Sequence, residues 1–293
     1  MNSNSLVVTS VAELQEKFYQ QEYLLEEKIA TIIFLAVNLD RPVLIEGPPG
    51  VGKTELAKKF AKAYSHSFYR LQCYEGLDES KALYEWDYQK QLLFIQALAK
   101  DKENWDKLKG KIYSQEFLLP RPLLSSIMSS EKATLLIDEI DKSDEEFEAL
   151  LLELLSEYTV TIPEFKTVEA KTKPAVFITS NGTRQLSEPL KRRCVHVYLE
   201  YPKAERELEI LKLKCPQLNL QLAKEIIAFS NSLRQQDLHR PPSIAEVIDW
   251  SKALILLGVG ALSKQTIADT ISFILKHNDD ANKILNKLNI LLA

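Results

Sequence analysis

The chain has 293 residues, 45% of them hydrophobic, enough to bury one large core or two modest ones. A formal net charge of −4 and an isoelectric point near 5.8 argue against a global field that would draw it onto nucleic acid or an anionic membrane. Cys73, Cys194 and Cys215 are odd in number, widely spaced and free of any CxxC, so they point to a reducing cytoplasm rather than a disulfide framework or a zinc knuckle.

The N-terminal MNSNSLVVTS has no basic region followed by an apolar core, and no apolar run approaches the roughly 20 residues that span a bilayer. The richest runs, IATIIFLAV and ALILLGVG, read as buried helices. The strand-like RPVLIE leads into GPPGVGKT (Gly47, Pro48, Pro49, Gly50, Val51, Gly52, Lys53, Thr54), and TELAKKFAKAY then reads as a helix. Strand, glycine-rich loop and helix in that order form a phosphate cradle of backbone N–H groups at a helix N-terminus. Lys53 would reach the β- and γ-phosphates of ATP, and Thr54 would hold Mg2+.

Next comes FYRLQ, a strand, and then the segment Arg70 to Lys90, which mixes Tyr74, Tyr84, Trp86 and Tyr88 with Glu75, Asp78, Glu79, Glu85 and Asp87. Its carboxylates oppose contact with a polyanion, while its rings offer large apolar area to a protein partner. The same rings are equally suited to packing the segment on its own core, so only some belong to a surface. Further on, ATLLIDEID ends an apolar strand with Asp138 and Glu139, a Walker B arrangement in which Asp138 supports Mg2+ and Glu139 polarises the attacking water. Ser143 and Glu146 then make a capping-box pattern for the following helix. Thr159 to Pro174 alternates β-branched residues around PEF and reads as a hairpin.

The third apolar strand, AVFITS, ends at Asn181, an amide able to orient water and γ-phosphate without adding charge; Arg192 and Arg193 follow in LKRRC and suit phosphoryl-transfer stabilisation from another subunit. Cys194 and His196 fall on a strand-like run whose alternation puts both on one face as a structural pair. Near Tyr201 and Pro202 the texture changes. The strands stop, Ile267, Ile271, Ile274 and Leu275 recur at helical spacing, and Ser243 with Glu246 makes another capping box. The expected organisation is α/β over residues 1–201, with a mostly parallel sheet covered by helices, and all-α over residues 202–293.

Together these motifs resemble the AAA+ ATPases over nearly the whole chain. RLQCYEGLDESKALYEWDYQKQLL, EFLLPRPLL, the IPEF hairpin and LKRRCVHVYLEYP resemble the MoxR group, especially its CoxD-like branch. That resemblance implies a P-loop AAA+ core with an insert in the second core helix, a hairpin before the sensor strand, a helical lid and a ring, usually a hexamer. It assigns Lys53 and Thr54 to Walker A, Asp138 and Glu139 to Walker B, Asn181 to sensor 1, and Arg193 to the arginine finger with Arg192 as the alternative. Tyr23 and Leu24 lie where related ATPases accommodate adenine, although core packing would equally explain them. One departure is HRPPSIAEVIDW: Ser243 stands where many MoxR proteins carry a sensor 2 arginine, and Arg240 lies three residues earlier. The resemblance implies Mg2+-dependent ATP hydrolysis coupled to remodelling of a client protein, a partner with a von Willebrand factor A domain and, in the CoxD-like branch, assembly of a metalloenzyme. The competing expectation is a motor on nucleic acid, like the ATPase subunit of a restriction system.

Overall fold

The computed structural model describes residues 8–98 and 110–291 and divides the chain into two compact units. One contains Leu25–Glu46 and Thr54–Tyr198 with the preceding N-terminal helix. The other contains Glu22–Leu24, Gly47–Lys53 and the residues from Leu199 onward.

The first unit is built on a five-stranded parallel sheet. Its strands are β1 (Val43–Glu46), β2 (Ser67–Gln72), β5 (Ala133–Asp138), β8 (Ala175–Ser180) and β9 (Val195–Tyr198), in the spatial order β2-β5-β8-β1-β9. Every residue of β5 and β8 is buried, as expected of central parallel strands covered on both faces, and this is why their sequences are apolar without alternation. Register aligns Glu46 with Ser180 and Gln72 with Asp138, so the C-terminal ends of the strands carry the polar residues of interest.

Between β2 and β5 the expected insert forms: a short helix Glu79–Ala82, then β3 (Tyr84–Trp86) paired antiparallel with β4 (Leu118–Pro120), with the helix Tyr88–Leu98 following β3 and the helix Pro122–Met128 following β4. The hairpin before β8 is β6 (Thr159–Ile162) with β7 (Lys166–Glu169). Trp86, one of the rings left open between core and surface and a first choice for the surface, is a core residue, ringed edge-on by Tyr113 at 5.2 Å, Tyr84 at 6.2 Å and the hairpin's Phe165 at 6.4 Å. Two of the segment's carboxylates are caps: Asp78 accepts the Lys81 N–H at 3.0 Å, and Asp87 accepts the Lys90 N–H at 2.9 Å. A third, Glu85, pairs with Arg121 at 2.6 Å.

Two local expectations fail for identifiable reasons. The helix Glu145–Glu157 is capped by Asp144, whose carboxylate accepts the Phe147 N–H at 2.8 Å, while the Ser143 hydroxyl turns back to the Ile140 carbonyl. A carboxylate one residue later closes the same turn and adds charge at the positive helix end. Cys194 and His196 do not share a face. Cys194 is the C-cap of the helix Glu188–Arg193 and lies outside β9, so strand alternation does not reach it. It is buried, whereas His196 is exposed and pairs with Glu46 at 2.6 Å.

The second unit is helical: Ala204–Lys214, Leu220–Arg234, Ile244–Leu256, Lys264–Ile274 and Asn278–Leu291 surround the buried Trp250. The Trp250 indole N–H donates to Thr270 Oγ1 at 2.8 Å, which satisfies the polar end of a fully buried ring. The predicted Ser243–Glu246 capping box is present, with the Ser243 N–H donating to the Glu246 carboxylate at 2.7 Å. Among the described residues, no helix of either unit is long and apolar enough to cross a membrane.

Candidate active site

In the second unit, Gly47–Lys53 forms a tight loop. Gly47 and Gly50 have φ of 153° and 77°, and a Cβ on either would lie 2.2 Å from a neighbour, the Leu199 carbonyl oxygen and Ser243 Oγ respectively. Only glycine fits these positions. Pro48 and Pro49 contribute no N–H, so the amide donors of the loop come from its glycines, Val51 and Lys53. The Lys53 side chain is buried over the loop, its ammonium donating to the carbonyls of Gly47 at 2.7 Å and Pro48 at 2.9 Å. Tyr23 packs against Gly52, with its hydroxyl 3.5 Å from the Gly52 carbonyl, and the Tyr201 hydroxyl donates to the Pro49 carbonyl at 3.4 Å. A glycine loop running into a helix N-terminus, with a buried ammonium beside it, suits a polyphosphate.

Ser243 is buried as a helix cap against this loop. Arg240 reaches Glu246 at 3.4 Å, and its backbone N–H donates to Asp280 at 3.4 Å.

In the first unit, Asp138 is 1% exposed at the end of β5. Its Oδ1 accepts from Thr54 Oγ1 at 2.8 Å and Thr179 Oγ1 at 2.6 Å, while its Oδ2 accepts from Arg70 Nη2 at 2.6 Å and Nε at 3.0 Å. Glu139 follows with φ 59° and ψ 49°, a left-handed conformation that costs a non-glycine residue about 1 kcal/mol or more. Its N–H donates to Thr179 Oγ1 at 2.9 Å. Its carboxylate accepts from Gln72 Nε2 at 2.8 Å and from the Lys142 ammonium at 2.5 Å, a contact that holds Lys142 above the usual lysine range. These contacts hold the acid between the end of β2 and the turn after β5.

Asn181 begins the loop after β8. Its N–H donates to Asp141 Oδ1 at 3.1 Å, and the Thr183 N–H and hydroxyl donate to Oδ2 at 3.1 and 2.6 Å. Burial alone would raise the Asp141 carboxyl, but the Thr183 and Asn181 donors outweigh it and hold it below the usual aspartate value. Asp141 thus staples the loop carrying Asn181 to the turn after Glu139. Beneath Asp138, burial and then the neighbouring Asp138 charge push the Cys73 thiol up to about 12, so it is neutral and unreactive.

Arg192 and Arg193 are brought elsewhere: they end the helix Glu188–Arg193 with exposed side chains, and Arg41 donates to both their carbonyls, at 2.8 and 2.9 Å. The sequence reading missed Thr179, Arg70, Gln72, Lys142 and Asp141. Asp141 and Lys142 stand next to a recognised motif and could have been included on proximity alone. The other three become neighbours of Asp138 and Glu139 only through the strand order β2-β5-β8.

Residues 42–194 match the family described as the AAA domain, dynein-related subfamily. The chain is 22% identical over 250 residues to an uncharacterised protein of Staphylococcus haemolyticus, covering 80% of this chain and 86% of that one. It is 22% identical over 239 residues to the gas vesicle ATPase GvpN of Haloferax mediterranei, covering 77% and 67%. A solved RuvB variant from Thermotoga maritima superposes with a TM-score of 0.51 at 18% identity over 94% of this chain and 79% of that one, a likeness of fold. Since the matched family segment takes in more than half of the chain and four of the five strands of the sheet, β1, β2, β5 and β8, the protein belongs to the dynein-related subfamily of AAA domains and is an ATPase that uses ATP with Mg2+.

Proposed function

We propose that this ATPase is of the MoxR type, a cytoplasmic protein that couples ATP hydrolysis to remodelling or maturation of a client protein. It would act in a ring of its own copies, a hexamer, with a von Willebrand factor A domain protein as partner and a metalloenzyme as client. The observation that carries the reading is the insert: Tyr88, Leu92 and Leu93 on the helix Tyr88–Leu98 are exposed, with Tyr88 at 66%, beside Glu85 and Asp87. Exposed apolar groups beside these carboxylates suit a protein surface rather than a phosphate backbone. Similarity to GvpN and the motifs quoted above support the MoxR assignment.

In the site, the amides of Gly50, Val51 and Gly52 and the ammonium of Lys53 would bind the ATP phosphates. Thr54 and Asp138 would hold Mg2+, for which a hydroxyl beside a buried carboxylate is a fitting oxygen donor set. When bound, Mg2+ neutralises phosphate charge and charge developing in the transfer. Glu139 would accept the proton of the attacking water, Asn181 would orient that water against the terminal phosphate, and Arg193, with Arg192 as the alternative, would reach a neighbouring subunit's nucleotide.

Glu139→Gln keeps the shape of the carboxylate and removes its proton-accepting charge. It should bind ATP like the parent and lose about 100-fold or more in turnover. The same variant, held in its ATP-bound state, should retain client and partner in a pull-down. Undiminished turnover would overturn the role of Glu139. ATPase stimulation by DNA or RNA, with steep salt dependence and no response to a von Willebrand factor A domain protein, would instead establish the nucleic-acid motor.

A further inference from the structure

Among the charged groups around Asp138, Arg70 has no role in the reading above, yet its contact is the most specific. The guanidinium places two N–H groups, Nη2 and Nε, on the same carboxylate oxygen, Asp138 Oδ2, at 2.6 and 3.0 Å. The other oxygen takes the two hydroxyls of Thr54 and Thr179. An ionised carboxylate has about four lone-pair sites, so these four donors saturate it. Burial is uneven: the Asp138 side chain is 2% exposed, whereas that of Arg70, on the edge strand β2, is 42% exposed. The acid is fixed in the interior and the base has a short way to water.

We infer that Arg70 is an internal counter-cation that competes with the divalent metal for Asp138, holding the carboxylate neutralised until the metal arrives and withdrawing toward solvent when it does. This rests on the reading that Thr54 and Asp138 hold the metal. The physical ground is simple. A buried carboxylate left without a cation is strongly destabilising, whereas two cations on one carboxylate oxygen repel each other, so one positive charge at a time is the stable arrangement. Arg70 also donates through Nη2 to Gln72 Oε1 at 2.5 Å, and Gln72 Nε2 donates to Glu139 at 2.8 Å. Withdrawal of Arg70 therefore frees one of the two contacts of the amide that holds Glu139, and metal occupancy at Asp138 is transmitted to the neighbouring acid.

The test measures Mn2+ binding to the full chain with a non-hydrolysable ATP analogue, following free Mn2+ by electron paramagnetic resonance, alongside thermal unfolding without divalent ions. Arg70→Gln should bind Mn2+ about tenfold more tightly, the scale of one charge-assisted contact. It should also unfold at a lower temperature without metal, and that deficit should close at saturating Mn2+ and analogue. Arg70→Lys, which keeps the charge on a single donor point, should fall between parent and Arg70→Gln in affinity, and it carries the test if the glutamine variant does not fold. Mn2+ affinity that is unchanged or weaker in the Arg70 variants, with Asp138→Asn weakened as expected, overturns the counter-cation role. Mn2+ affinity undiminished in Asp138→Asn overturns the metal-site reading itself, and this inference with it.

Discussion

His66 shows how much a single side chain can depend on its surroundings. Its ring lies edge-on to Phe60 at 5.6 Å, and its Nδ1 is 3.0 Å from Thr134 Oγ1 at the start of β5. Burial, followed by the nearby Lys132 charge, pushes its pKa down to about 4 from the ordinary 6.5. Above pH 6.5 the imidazole is neutral in both folded and unfolded chains and pH has no effect through it. Between 6.5 and about 4 the unfolded chain binds the proton and the folded one does not, so stability falls as pH falls. Urea unfolding midpoints measured from pH 7.5 to 4.5 should therefore decline more steeply for the parent than for His66→Asn. Parallel declines would place the acid sensitivity elsewhere.

At the scale of elements, the insert separates packing from presentation within three residues. Trp86 is part of a ring cluster joining β3 to the hairpin, and Trp86→Ala should cost about 3–5 kcal/mol. Tyr88→Ala should leave stability within about 0.5 kcal/mol and weaken client binding. Unfolding midpoints and client affinity for the two variants decide it, and a large stability loss in Tyr88→Ala would return that ring to the core. The sequence could not make this distinction, because Trp86 and Tyr88 share one parity and the chain changes from strand to helix between them. Asp78 and Asp87 were hidden in another way: each precedes a helix and caps it, a readable signal masked by the surrounding acids. By contrast, the strand, glycine loop and helix around Lys53 were readable because every part of that signal is contiguous. So were β5 and β8, since buried parallel strands are apolar runs of distinctive length. Thr179, Arg70 and Gln72 carry no local mark. They matter because β8 and β2 flank β5, a fact of strand order that no window of sequence contains.

For the whole molecule, the proposed role of Arg193 at a neighbouring subunit's nucleotide is open to test, since Arg192 and Arg193 are both exposed. Arg41 anchors the end of their helix through both carbonyls and leaves the guanidinium groups outward. Arg193→Ala should leave ATP affinity near the parent's and depress turnover about a thousandfold at saturating ATP, as loss of an arginine supplied in trans does. Mixing Arg193→Ala with Lys53→Ala subunits should recover part of the rate, because some junctions then join an intact Arg193 to an intact loop. A full rate in Arg193→Ala together with an inactive Arg192→Ala would move the role by one residue, and normal rates in both would end the case for catalysis between subunits.

The compact units do not follow the order of the gene. Gly47–Lys53 belongs with the helices that begin some 150 residues later, although β1 before it and most of the helix after it belong with the sheet. Gly47 lies under the Leu199 carbonyl, and Gly50 has room for no atom beyond hydrogen because Ser243 fills the space. A recombination that joined the first 198 residues of one such gene to the C-terminal part of another would therefore set a loop from one parent against a residue 243 from the other. A helical segment borrowed from a relative would have to leave Gly50 the same room that Ser243 leaves it here.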